Sequence, residues 1–352
     1  MSVHCIVNQI RCRPCSECIL CGEKGEAFYQ NLNDLLFGVP GRWNLKKCPN
    51  PECGLIWLDP MPLEEDISKV YVTYYTHQDS NEVHNTLLRR LYSFIKEGYL
   101  ATKYGYHRSS LAAWEKFLSI LIYLHPLRRA SIDNSVMYLP AKDSGRLLDV
   151  GCGSGQRLKL MHDMGWCVEG VDFDPAAVNN AKSKGLQVRL GKLETQKYPD
   201  NHFDAITMNH LIEHVHHPLG LLHECYRILK PGGWLVVVAP NCESWGHKIF
   251  ERNWIGLDPP RHLYVFSMMT LKKLVDSASF KVAFIQSSVS SDYIFSASYA
   301  LSKNEIIQNG HVKLGLLKSF MAKFVTFLQS IILLAKPNIG EEVVLIAEKL
   351  NK

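Results

Sequence analysis

From Gly145 onward, short runs of branched apolar residues alternate with longer stretches of mixed polarity. Arg146 to Val150 (RLLDV) has the pattern of a buried strand, and QRLKLMHDMG after the next loop is compatible with a helix. Cys167 to Val171 (CVEGV) and Phe203 to Met208 (FDAITM) are further strands, and Trp234 to Ala239 (WLVVVA) follows a turn at Lys230-Pro231-Gly232-Gly233. Apolar strands separated by helices imply a parallel sheet with crossover helices. Such a doubly wound sheet takes its ligand at the carboxyl ends of the strands. Elsewhere the pattern is helical: Leu87 to Ile95 and Leu111 to Leu124 are rich in apolar and aromatic residues, and Leu314 to Ala335 is a further apolar stretch. The longest uncharged apolar run there, Phe324 to Ala335, has 12 residues. A spanning helix needs about 20, so no transmembrane pass is expected.

Composition adds a second module. The 352 residues, 47% hydrophobic and 21% charged, are an ordinary globular mixture, which excludes collagen-like and wholly disordered chains. Of 11 cysteines, seven fall in the first 53 residues, where no apolar signal core precedes them. A cytosolic, reduced chain is expected, and there clustered cysteines point to metal rather than disulfides. Cys18-x2-Cys21-Gly22 and Cys48-Pro49-Asn50-Pro51-Glu52-Cys53-Gly54 form two knuckles that can converge on one zinc ion. Cys15-x2-Cys18 overlaps the first knuckle as an alternative. The Cys-Gly pairs at 21 and 53 favour Cys18, Cys21, Cys48 and Cys53, because glycine permits the tight backbone.

The loop after the first strand is Gly151-Cys152-Gly153-Ser154-Gly155. Gln156 stands near where a dinucleotide fingerprint needs its last glycine, and the Gly-Lys-Ser/Thr of a phosphate loop is missing. Asp172 closes the second strand, where a carboxylate can accept both hydroxyls of a ribose, and Phe173 beside it can pack on an adenine face. The plainer alternative is that Asp172 only caps the next helix.

With LLDVGCGSG (147–155), VEGVDFDP (168–175), NHFDAITMNHLIEHVHHP (201–218) and RILKPGGWLVVVAP (227–240) in this order, the chain resembles the class I S-adenosylmethionine-dependent methyltransferases. The resemblance covers roughly 144–288 and a last strand. It implies an α/β fold, a doubly wound seven-stranded sheet of Rossmann-like methyltransferase type. Phe280 to Gln286 and Glu342 to Ala347 would be its terminal antiparallel hairpin, with about 291–340 inserted between them. It also implies that Asp149, Gly151, Gly153 and Gly155 hold the methionine part of S-adenosyl-L-methionine, Asp172 the ribose, and that Asn209 faces the sulfonium region. Lys192 stands where relatives often place Asp, so adenine recognition falls to backbone near Leu193 and Glu194. CILCGEKGE with KKCPNPECGLIWLDPMP resembles the zinc-binding leader of a subset of these enzymes.

Methyl transfer needs an in-line approach of a nucleophile to the sulfonium carbon, so the protein supplies positioning and, for an acceptor that must lose a proton, a base. His210, Glu213 and His214 follow the fourth strand at i, i+3 and i+4, on one face if that stretch is helical. His214 is the first choice as base, since an unperturbed imidazole titrates near pH 6.5. The same residues resemble the Glu-x-x-Glu-His triplet of metal-dependent O-methyltransferases of small RNAs and ubiquinone precursors. With His262 downstream, that implies a second divalent metal, although His210 replaces the first Glu. A structural role in bonding nearby backbone is the third alternative. His216, His217 and His223 read as solvated or capping, Trp254 and Tyr264 as parts of a loop over the pocket mouth, and Arg261 as either a grip on an anionic acceptor or a salt-bridge partner.

The charge of +5 is concentrated, because Thr86 to Arg129 holds eight Lys/Arg against two Glu. Basic amphipathic helices here could meet an anionic membrane surface or simply pack on the sheet. The expected organisation is a zinc-binding leader at 1–62, a basic helical insert at 63–142 and a methyltransferase domain at 143–352. Three functions follow: methyl transfer to a small or lipid-linked acceptor such as a sugar or phenolic hydroxyl, with a cytoplasmic or peripheral membrane location; RNA methylation with the zinc module and basic helices holding nucleic acid; or a non-catalytic zinc-ribbon interaction protein.

Overall fold

The structure is a computed structural model that describes residues 5–7, 10–71, 87–106, 118–142, 145–303 and 315–350. The expected helical stretch at 111–117 and Leu314 lie outside the described residues. Seven strands form the principal sheet: β1 (Arg146–Val150), β2 (Cys167–Asp172), β3 (Val188–Leu190), β4 (Phe203–Asn209), β5 (Leu229–Pro240), β6 (Lys281–Ser288) and β7 (Glu342–Glu348). Their spatial order is β3-β2-β1-β4-β5-β7-β6. The pairs β1/β4, β1/β2 and β2/β3 are parallel, and β6/β7 is antiparallel. The strand pattern anticipates this doubly wound sheet, and the resemblance anticipates its seven strands and terminal antiparallel hairpin.

The central strands are apolar because they are covered on both faces. Leu147, Leu148, Phe203, Ala205 and Ile206 are buried. Two helices return the chain between the first three strands, Gln156–Asp163 and Pro175–Ser183. The second begins at Pro175, whose fixed φ suits the first helical position, with Asp174 accepting from Ala176 N at 2.8 Å. One expectation fails locally. The Lys230-Pro-Gly-Gly233 turn lies inside β5, where Gly232 (φ +71°) donates to Lys349 O at 2.7 Å and Lys349 donates to Gly233 O at 3.1 Å. The glycines thus kink a long strand that pairs with the C-terminal segment. The three-residue β3 is too short for a periodic signal and was not anticipated.

The chain clusters into two compact units. One comprises residues 76–208, 227–236 and 349–352 and contains β1 to β3 with most of β4. The other comprises 1–75, 209–226 and 237–348. In this second unit the leader builds two small sheets. One pairs Cys5–Val7, Ile10–Arg13 and Met61–Pro62; the other runs Glu26–Leu32, Trp43–Lys47, Ile56–Leu58 and Tyr264–Val265. Tyr264 is therefore not in a loop: it pairs with Trp57 in a buried strand, and Trp254 is buried too, with its Nε1 donating to Glu341 at 2.9 Å. Helices Tyr293–Ser302 and Leu316–Ile332 lie between β6 and β7 in sequence.

Candidate functional site

The first candidate is the glycine loop after β1. Gly151, Gly153 and Gly155 all have left-handed backbone, at φ +74°, +53° and +76°. Side-chain-bearing residues pay a steric cost there, so this path needs glycine. At Gly155 a Cβ would also come within 2.6 Å of Leu186 and 3.0 Å of Ala181. The loop is tied to β2: Gly151 N donates to Val171 O at 2.8 Å, and Gly153 N donates to Asp172 Oδ2 at 2.8 Å. The other Asp172 oxygen accepts from Asp174 N at 2.9 Å. Asp172 thus fixes the loop as well as ending β2, and burial pushes its carboxyl up. Asp149 is buried and accepts from the Thr207 hydroxyl at 2.7 Å across the β1/β4 pair. Phe173, beside Asp172, is 44% exposed. Leu193 is buried at the start of a short 3-10 turn. Asn209, the last residue of β4, has a buried Oδ1 with no hydrogen-bond partner among the described residues.

The second candidate begins one residue later. His210 has φ +52°, which breaks β4 and turns the chain into a one-turn 3-10 helix, Ile212–His214. The side chains are gathered by that reversal rather than by an α-helical face. Glu213 is fully buried, and neither of its carboxylate oxygens has a hydrogen-bond partner among the described residues. Three imidazoles surround it: His210 Nδ1 at 3.4 Å, His262 Nε2 at 3.8 Å and His214 Nε2 at 4.0 Å from Oε1.

The protonation of two of these rings follows from their other nitrogens. His214 Nδ1 lies 3.0 Å from Arg261 O, and His262 Nδ1 lies 2.8 Å from Gly256 O. A carbonyl only accepts, so each Nδ1 carries the hydrogen, and a ring that is neutral keeps its lone pair on Nε2. The Tyr71 hydroxyl lies 2.9 Å from the same His214 nitrogen. Burial, then the charge of His262, holds the His214 imidazole down at about 4, so it is neutral near pH 7. His210 differs. Burial alone would lower it, but Glu213 and Glu342 pull it up to about 10; its Nε2 is 3.0 Å from Glu342. For Glu213, burial would raise the carboxyl, yet His210 and the neighbouring imidazoles bring it to about 2.

Arg261 underlies this cluster. It is fully buried, with bonds of 2.6 and 2.9 Å to Asp34 and 2.9 Å to Asp258, and its guanidinium stacks 4.5 Å from the Phe37 ring centroid. It is a structural ion-pair centre and has no free face for an acceptor. His217 and His223 are exposed, whereas His216 is buried with Nε2 2.8 Å from Pro62 O, so it anchors the leader rather than facing solvent. Asp34, Tyr71, Asp258 and Glu342 escaped the sequence reading, and only Asp258, within the Asp-Pro-Pro-Arg-His run, had a local signal.

The cysteines form the third candidate. Cys18, Cys21, Cys48 and Cys53 bring their sulfurs within 4.8 Å of one another, with Cys18–Cys53 at 3.6 Å and Cys21–Cys48 at 3.4 Å. Four thiolates at Zn–S bonds of about 2.3 Å need S–S separations of about 3.8 Å, so this set fits a tetrahedral zinc ion. Gly22 and Gly54 take φ +76° and +69° directly after Cys21 and Cys53. Cys15 is outside the group, its sulfur 3.9 Å from Arg13 O. The module reaches the histidine cluster by a short path. Cys48 N donates to Leu55 O, Leu58 N donates to Leu263 O at 3.0 Å, and Leu263 N donates to Glu213 O at 2.8 Å. The second knuckle thereby positions the backbone on which His262 and Glu213 sit.

Glu213, His214 and His262 can also offer one ligand atom each to a common ion. Glu213 Oε1 faces His210 Nδ1 at 3.4 Å and lies 4.0 Å from His214 Nε2 and 3.8 Å from His262 Nε2, so the carboxylate and the last two rings can converge on one ion. Glu213, Asp34, Asp258 and Glu342 are four carboxylates against two cations, Arg261 and His210. Both imidazoles donate their outer N–H to carbonyls, the arrangement that orients metal-bound histidine.

Residues 123–283 match a family model described as a methyltransferase domain. The chain is 31% identical over 125 residues to a ubiquinone biosynthesis O-methyltransferase of Alkalilimnicola ehrlichii, covering 34% of this chain and 51% of that protein. It is 29% identical over 141 residues to a probable S-adenosylmethionine-dependent methyltransferase of Mycolicibacterium smegmatis, covering 39% and 52%. The chain therefore spans about half the length of the curated relatives it matches. A Thermotoga maritima structure titled SAM-dependent methyltransferase, possible histamine N-methyltransferase, superposes with a TM-score of 0.42 at 23% identity, covering 67% of this chain and 94% of that one.

Proposed function

We propose that this chain, whose residues 123–283 match a methyltransferase-domain model, is a class I S-adenosylmethionine-dependent enzyme that transfers a methyl group to a hydroxyl of a small or lipid-linked acceptor. The observation that carries the reading is the loop of three left-handed glycines held against Asp172. Bound there, S-adenosyl-L-methionine supplies an electrophilic methyl on a sulfonium centre. The backbone of Gly151, Gly153 and Gly155, with Asp149, would receive the amino-acid end. Asp172 would accept the ribose hydroxyls, since each of its oxygens keeps a lone pair beyond the bond it already accepts. Phe173 and Leu193 would take the adenine. The unpartnered Oδ1 of Asn209 would stand by the sulfonium.

His210, Glu213, His214 and His262 would serve the acceptor. The geometry favours Glu213, His214 and His262 as holders of a divalent cation, which when bound would supply Lewis acidity to a hydroxyl oxygen. His214 acting alone as a base is the second reading, supported by its free Nε2 lone pair. Its depressed affinity for a proton weakens it in that role. The four cysteines would hold a structural zinc ion.

Dialysis against a divalent-metal chelator followed by Mn2+ titration, read by electron paramagnetic resonance, separates the two readings. Stoichiometric Mn2+ uptake that falls at least about tenfold in His262→Ala supports the cation site. No uptake, with methylation of a pooled phenolic and sugar acceptor panel unaffected by chelator and lost in His214→Ala, supports the base. Failure of the protein to bind S-adenosyl-L-methionine would overturn the methyl-transfer proposal itself.

A further inference from the structure

The helix Leu316–Ile332 has its polarity reversed relative to an ordinary surface helix. Its buried positions are Ala322, Thr326, Gln329 and Ser330. Their donors are bonded internally: Thr326 Oγ1 donates to Ala322 O at 2.8 Å, Ser330 Oγ to Phe327 O at 2.6 Å, and Gln329 Nε2 to Glu341 at 2.7 Å and Ile339 O at 3.0 Å. The outward positions carry the large apolar groups instead. Phe320 is 68% exposed, Met321 55% and Phe324 51%, and Leu328, Ile331 and Ile332 are exposed beside them. At 3.6 residues per turn these six fall on one continuous face opposite the buried one. Isolated exposed apolar residues are unremarkable, but a contiguous stripe marks an interaction surface.

The charges indicate what covers it. From Leu316 to Lys336 there are three lysines, 318, 323 and 336, and no acidic residue. On the helical projection Lys318 and Lys323 border the apolar stripe on either side. A stripe of Phe, Leu and Ile edged by lysine suits the boundary between acyl chains and anionic headgroups, and the cores of protein interfaces are depleted of lysine. The same helix shares a cavity of about 550 Å³ with Phe295 and Tyr299, in which Lys303 and Lys318 again accompany apolar walls. Among the described residues no helix is long and apolar enough to cross a membrane, so this helix would lie on a bilayer rather than span it.

We infer that the outward face of the helix Leu316–Ile332 docks on an anionic lipid surface, with Phe320, Phe324 and Ile331 entering the acyl boundary and Lys318 and Lys323 meeting headgroups. This inference does not rest on methyl transfer, and its test uses no cofactor. The full-length protein would be sedimented with vesicles of phosphatidylcholine alone and with one third phosphatidylglycerol. Binding to the anionic vesicles at least about tenfold stronger than to neutral ones, and reduced by added salt, is expected. The paired change Phe320→Glu and Phe324→Glu should lower that binding at least about tenfold with an unchanged melting temperature, and Lys318→Glu with Lys323→Glu should lower it too. Phe284→Glu, an exposed apolar position on β6, should leave it intact. The inference is overturned if the wild-type protein stays in the supernatant, if both paired variants bind as it does, or if light scattering shows that the Phe pair instead holds two copies of the chain together.

Discussion

The glycine loop and the histidine cluster follow one another along the chain, yet they are built in opposite ways. The loop is local. Residues 149 to 174 supply its strand end, its turns and its acidic anchor, and the bonds from Gly151 N and Gly153 N run to the end of the adjacent strand. The cluster is assembled from far apart: Asp34 from the leader, Tyr71 from the 3-10 helix Glu64–Tyr71 after it, 210–214 after β4, 258–262, and Glu342 at the start of β7. Its groups are charged or carry lone pairs and are largely buried, so its geometry depends on counter-charges that the local sequence does not contain. A nucleotide-binding loop can be specified by backbone shape alone, whereas a buried polar cluster must be neutralised from outside.

That contrast predicts unequal responses. The largest should follow removal of the zinc ion proposed for the four cysteines, because structural zinc contributes on the order of 10 kcal/mol to folding in small modules. Stripping the ion with an organomercurial should abolish Mn2+ uptake by the cluster while S-adenosyl-L-methionine titration by calorimetry still shows binding. Equal loss of both would mean that the two regions are not separable. Next is Arg261→Met, which leaves Asp34 and Asp258 buried without their cation and should cost about 3–5 kcal/mol in urea unfolding. A change below about 1 kcal/mol would show that water already reaches that pair.

The smallest effect concerns the unit that carries the loop. Asp204 is held by Lys142, Lys230 and Arg146 N. Burial alone would raise its carboxyl, but these partners bring it to about 2. A carboxyl depressed in the folded state contributes stability above its unfolded pKa of about 3.9 and loses it as pH falls through about 2. The melting temperature should therefore drop between pH 4 and pH 2, and Asp204→Asn should flatten that drop while lowering stability at pH 7.

The same contrast decides what could be read from sequence. β1, β2 and β4 announce themselves through runs of apolar residues, and Gly151-x-Gly153-x-Gly155 through spacing, because each signal is confined to one window of the chain. The cysteine knuckles are legible for the same reason. His210, Glu213 and His214 could be singled out, but a helical face was the wrong device: the left-handed backbone at His210 and a 3-10 turn gather them. Asp34 gives no sign in Asn33-Asp34-Leu35-Leu36 that it neutralises an arginine 227 positions later. Trp254 and Tyr264 look like mouth-of-pocket aromatics, yet they are buried in the leader-bearing unit, since a strand from beyond residue 260 completes the leader's sheet. Long-range pairing of this kind leaves no periodic trace.

Calorimetric titration of S-adenosyl-L-methionine into the wild-type protein and into Asp172→Ala and His262→Ala tests the central claim most directly. Saturable binding to the wild type is expected, with a loss of about tenfold to a hundredfold in Asp172→Ala, where the proposed ribose carboxylate is removed, and affinity within about twofold in His262→Ala. No binding to the wild type, or an equal loss in both variants, would contradict that claim.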